Sequence, residues 1–107
     1  MRVLIAAVLT MSAAQLFDLA TFDVMMQRVG PAAEANPLVA TMFGVYGLPV
    51  VAIAKVALLA LVTAIVAVLA DPTIQRVRVS VIVAILSVGI AAGLVGGATN
   101  TVAIGLL

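Results

Sequence analysis

The chain has 107 residues, 66% of them apolar and 8% charged, and a mean hydropathy of +1.43. A water-soluble domain of that size could not hide so much apolar surface, so the solvent for most of the chain is lipid. Zero Cys and zero His remove disulfides, thiolate and imidazole metal sites, histidine-ligated haem and imidazole bases, leaving no cofactor site, no metal site and no catalytic constellation. Five basic and four acidic side chains are too few for a nucleic-acid surface, so the expected partners are the bilayer and other membrane helices, including a second copy of this chain.

Gly, Pro and charge clusters divide the chain into three apolar segments, each meeting the roughly 20 residues that a spanning helix needs. The expected fold is an all-α membrane protein, a single domain of three transmembrane helices with a short interfacial or re-entrant helix between the first and second. Span one covers about residues 3–29 and stops at Gly30-Pro31. Next comes Glu34-Ala35-Asn36-Pro37, which reads as an Asn cap with Pro in the first turn of a short helix over about 37–43. Some seven residues, roughly 10 Å, cannot cross a bilayer. Gly44, Gly47 and Pro49 break this piece from span two, about 48–70, which ends at Asp71-Pro72. Span three starts near 79 and reaches about 97, where Gly96-Gly97 and Thr99-Asn100-Thr101 weaken it; the pattern leaves the state of 98–107 open. Phe43 and Tyr46 fall near the outer boundary and read as interfacial anchors.

A competing pattern occupies the N-terminus. Arg2, the apolar run 3–9 and Ser12-Ala13-Ala14 imitate a secretory signal with a cleavage site. Against it, apolar character resumes at Leu16 and Phe17 and runs on to Val29, so cleavage would strand Asp18 and Asp23 on a stub.

Asp18, Asp23 and Lys55 lie inside spans, where each charge costs about 2.5–3.5 kcal/mol near the helix centre. Span two has thirteen Leu, Ile and Val residues, a gain of about 4–8 kcal/mol that covers Lys55. Span one has eleven such residues counting Phe, about 3–7 kcal/mol, against two carboxylates. It needs a partner. Asp23 lies about 9 Å and Lys55 about 10 Å from the outer ends of their spans, so depth favours Asp23 as the lysine's counter-ion. Asp18 lies about 7 Å deeper, still within reach of a lysine stem. Helical rotation puts Asp18 on one stripe with Met11, Ala14, Gln15, Thr21 and Met25, and Asp23 well around the helix with Ser12 and Leu16. The two carboxylates therefore form no dyad.

Span three carries Gly89, Gly93 and Gly97 at intervals of four, a face that lets another helix backbone approach, inside the bundle or from another subunit. Ala92 and Gly96 broaden it.

The stretch Asp18-x-x-Thr21, Gly30, Glu34-x-Asn36-Pro37 and then Lys55 resembles a family of small prokaryotic membrane proteins with Asp-x-x-Thr in the first helix, Gly ahead of Glu-x-Asn-Pro, and Lys in the next helix. The likeness covers roughly residues 14–60. It implies no activity, only that Asp18, Thr21, Glu34, Asn36 and Lys55 act together on the outer side of the bundle. With Asp23 these residues form the candidate intramembrane polar cluster.

Two functions are expected to compete. One is a non-enzymatic protein working through helix contacts, as an accessory or structural subunit of a membrane assembly or as a homo-oligomer. The other is a transport or pore component, holin-like or conducting ions or protons, whose path is lined by Asp18, Gln15 and Thr21. Arg2, Arg76 and Arg78 against Arg28 alone predict a cytoplasmic N-terminus and an outside C-terminus; with the prokaryotic resemblance, the expected location is a bacterial inner membrane. Single Ala35→Cys and Pro72→Cys variants should accordingly label from opposite sides, Ala35→Cys from outside by an impermeant maleimide. Labelling of both from one side would contradict three spans.

Overall fold

The computed structural model describes residues 2–34, 36–70 and 76–106. Its elements are α1 (Arg2–Arg28), a 3-10 turn (Pro31–Ala33), α2 (Pro37–Tyr46), α3 (Leu48–Leu69) and α4 (Arg76–Ile104). Helices α1, α3 and the Val79–Ile104 part of α4 are each long and apolar enough to cross a membrane, and no strand occurs among the described residues. The fold is an all-α bundle of three candidate spans with a short helix between the first and second, as befits a multi-pass membrane protein. The Asp71-Pro72 boundary expected for span two lies outside the described residues.

Local chemistry sets the helix ends. At the end of α1, Gly30 takes a φ of +101°, and the N–H groups of Val29 and Gly30 both donate to Met25 O, so the positive φ costs no side-chain clash. Asn36 caps α2 by accepting from Leu38 N–H at 3.0 Å, and Pro37 occupies the first turn. Helix α2 runs through Gly44 to Tyr46, past the expected stop at 43. A lone helical glycine costs only about 1 kcal/mol. The break comes at Gly47, whose φ of +82° and N–H bond to Phe43 O close α2 just where α3 begins.

Helix α4 passes the residues expected to weaken it and runs to Ile104. Thr99 and Thr101 hydroxyls donate to the carbonyls of Val95 and Gly97 one turn back, at 2.7 and 2.6 Å, which hides their polarity. Asn100 is buried and finds its partners on α1.

Helices α1 and α4 run parallel and make the main contact, with α3 antiparallel to both. The α1 residues Met11, Ala14 and Asp18 lie over Gly89, Gly93 and Gly96 in turn, so one register is kept along the pair. A Cβ at Gly93 would lie 2.6 Å from the backbone carbon of Ala14, and one at Gly97 would collide with the Phe17 ring. The glycine face is therefore spent inside the bundle.

Two apolar layers result. Met11, Val66, Ile82 and Leu86 form one, toward the N-terminus of α1. Phe22, Met25, Met26 and Val51 form the other, roofed by Val39, Met42 and Phe43 of α2. Phe43 packs edge-on to Phe22 with ring centroids 5.9 Å apart and is partly buried against this layer; Tyr46 stays exposed. Asn36 and Val39 share cavities with Lys55, the eighth residue of α3, while the other end of α2 meets the start of α3. Helix α2 thus folds back along α3.

Gly93→Leu should lower thermal stability in detergent by about 1–3 kcal/mol through overpacking, with the particle mass unchanged, whereas Leu94→Ala on an exposed face should have little effect. A wild-type melting temperature for Gly93→Leu would refute the close contact with Ala14.

Candidate functional site

Between the two apolar layers lies a polar one. Asp18 enters it from the buried face of α1, and Lys55 reaches it from α3: Nζ lies 2.9 Å from Asp18 Oδ2. Their side chains are 17% and 25% exposed, so the pair is largely but not wholly removed from solvent. Lys55 Nζ also stands 5.1 Å from the centre of the Phe22 ring, whose negative face helps to hold the cation.

The other oxygen of Asp18 is held by a residue the sequence reading passed over as a helix-weakening one. Asn100 Nδ2 lies 3.0 Å from Asp18 Oδ1, 3.1 Å from Asp18 O and 3.1 Å from Thr21 Oγ1. Only the amide nitrogen can donate to a carboxylate and a carbonyl, which fixes the orientation of the Asn100 amide. Thr21 sends its own proton to Phe17 O at 2.8 Å and so meets Asn100 as an acceptor. One turn deeper, Gln15 Nε2 donates to Gly89 O at 2.6 Å and ties α1 to α4 a second time.

This arrangement depends on the glycines. A Cβ at Gly96 would lie 2.5 Å from Asp18 Oδ1, so a side chain there would displace the carboxylate from beneath Asn100. A pointer to Asn100 was available in the sequence, since it lies seven residues beyond Gly93 and so continues the same helix face.

Of the six residues expected to cluster, Asp18, Thr21 and Lys55 are joined directly or through Asn100. Glu34 and Asn36 lie across a cavity of about 390 Å³ that Asp18, Lys55, Thr99 and Asn100 also line. Glu34 Oε1 accepts from Asn36 N–H at 3.0 Å, which anchors the loop before α2. Asp23 is not part of the cluster; its Oδ1 accepts from Gln27 one turn on, and Lys55 pairs with Asp18 instead. Equal depth misled the comparison because direction decides as well. Five residues of helix rotate Asp23 by about 140° from the face that α3 and α4 cover, and a long lysine stem spans the extra depth to Asp18.

The cluster can do two things chemically. It neutralises a carboxylate at the bundle centre, and it leaves polar atoms lining a small chamber. Among the described residues no group of three or more His, Cys, Asp or Glu side chains could hold a metal ion. Set against known proteins, the chain matches no family model, no curated protein and no solved structure.

Breaking the pair should cost more than removing it. Lys55→Met should destabilise the bundle by up to about 3 kcal/mol, reduced by whatever water reaches the partly exposed pair, because it leaves Asp18 charged and alone. Adding Asp18→Asn to Lys55→Met should recover part of that loss, while adding Asp23→Asn should not. Recovery with Asp23→Asn would contradict the pairing.

Proposed function

We propose that this is a small, non-enzymatic integral membrane protein that works through helix contacts in the bilayer, as an accessory or structural subunit of a membrane assembly or as a homo-oligomer. The residues that would line a conducting path are turned inward and bonded within the bundle, Asp18 to Lys55 and Asn100, Gln15 to Gly89, Thr21 to Phe17 and Asn100.

With the glycine face spent on α1, the contact surface must be another one, and the observation that carries the proposal is on the opposite side of α4. Val81, Val88, Val95 and Val102 recur every seven residues with Ala84, Ala91 and Ala98 between them, and all seven are exposed. A valine-alanine heptad is the pattern with which helices pack in a left-handed pair, and alanines allow close approach in lipid, where apolarity alone drives no association.

The likeness to small prokaryotic membrane proteins, the bacterial inner membrane as location, and a cytoplasmic N-terminus belong to the same proposal, supported by the residues quoted for each. A second reading, a transport or binding component, draws on the polar cavity beside Lys55.

Since the chain has no cysteine, Ala91→Cys provides a clean probe. In native membranes it should form disulfide-linked dimers, or crosslink to a co-purifying subunit identified by mass spectrometry, while Leu94→Cys on the adjoining face should not. A monomeric Ala91→Cys protein with no stoichiometric companion would overturn the helix-contact function.

A further inference from the structure

The polar cavity has a neighbour. A second cavity of about 420 Å³ is lined by Met11, Leu58, Leu59 and Val62, with Gln15 at its wall, and Asn36, Val39 and Lys55 border both. A polar and an apolar chamber thus share one junction between α2 and α3, which suits an amphiphile with its head in one and its tail in the other.

The chemistry of the head follows from which atoms are still unspent. Several donors of the polar chamber are committed: the Asn100 amide to Asp18 and Thr21, the Asn36 backbone N–H to Glu34, the Thr99 hydroxyl to Val95 O, and one Lys55 N–H to Asp18. What remains unspent is Glu34 Oε2, the spare lone pairs of Asp18 and the oxygen of Thr99 as acceptors, and the Asn36 side-chain NH2 and two Lys55 N–H groups as donors, so the net charge decides. Two carboxylates, Asp18 and Glu34, face one ammonium, Lys55, and Glu34 has no cation partner among the described residues. An anionic head would meet two like charges. Among the described residues no group of three or more His, Cys, Asp or Glu side chains would hold a metal ion there, and an ion would leave the apolar chamber unfilled. A head with a positive charge and several N–H donors satisfies both the charge and the lone pairs.

We propose that the two chambers form one binding site for an alkylammonium, with a primary or secondary amine head against Glu34 and Thr99 and an apolar tail along Leu58, Leu59 and Val62. The site rests on the binding-component reading; Val95 of the α4 contact face borders its polar chamber. The shared chemistry has two sources, a free single-chain amine and the ammonium headgroup of an aminophospholipid.

Probes that share a tail and differ only in the head test the assignment. Full-length protein in phosphatidylcholine nanodiscs is titrated at neutral pH with decylammonium, decanol and decanoate, following the melting temperature. Decylammonium should bind about tenfold more tightly than decanol, and decanoate most weakly. Glu34→Gln retains an acceptor for Asn36 N–H and should bring decylammonium down to the affinity of decanol. Leu58→Trp, at an exposed position, should fill the tail chamber and weaken decylammonium and decanol alike. Nanodiscs containing phosphatidylethanolamine separate the sources: stabilisation without probe, with decylammonium competing, supports the lipid headgroup, and unchanged decylammonium binding supports a free amine. Equal affinity of the three heads, preference for decanoate, equal stabilisation by sodium or potassium chloride alone, or full decylammonium binding by Glu34→Gln would overturn the site. The Ala91→Cys result would stand in any of these cases.

Discussion

A carboxylate at position 18, on the buried side of α1, is the constraint around which this bundle is arranged. It is largely removed from solvent, so its charge and most of its lone pairs are met by protein. Lys55 supplies the charge from α3, and Asn100 supplies hydrogen bonds from α4. The three spans are thus tied to one another at one level, with apolar layers packed on either side.

Glycine spacing and polar chemistry are coupled in this design. Asn100 is short, and it reaches α1 only because α4 lies almost against the α1 backbone at Gly93 and over the Asp18 carboxylate at Gly96. In lipid, where burial of apolar surface gives no drive toward association, such close packing and the hydrogen bonds it permits are the main sources of helix adhesion. The long course of α4 has the same cause. Residues that would weaken a helix in isolation are bonded to α1 or back to their own helix, so the helix continues.

Helix α2 adds a feature that three spans joined by simple loops would lack. By folding back along α3 it brings Glu34 and Asn36 to the level of Lys55, where they face the ion pair across a chamber and do not close over it. The bundle is therefore closely packed along the α1–α4 seam, while the two chambers meet at Asn36, Val39 and Lys55, beside α2 and α3.

The sequence by itself determined the membrane class, the three spans, the Asn36 cap, the Gly30 and Gly47 breaks, and the need of Asp18 for a partner. Each of these follows from local composition or from the cost of a charge in lipid, and neither depends on distant residues. Only the tertiary structure decided which carboxylate Lys55 meets, because Asp18 and Asp23 differ by rotation about the helix and the choice turns on which face α3 and α4 cover. For the same reason it decided that Gly89, Gly93 and Gly97 face α1 and not a second subunit, leaving the valine-alanine side of α4 outward. Asn100 belonged to both: its place on the glycine face was in the sequence, but its function as the hydrogen-bond partner of Asp18 emerged only when two helices 82 residues apart in the chain were laid side by side.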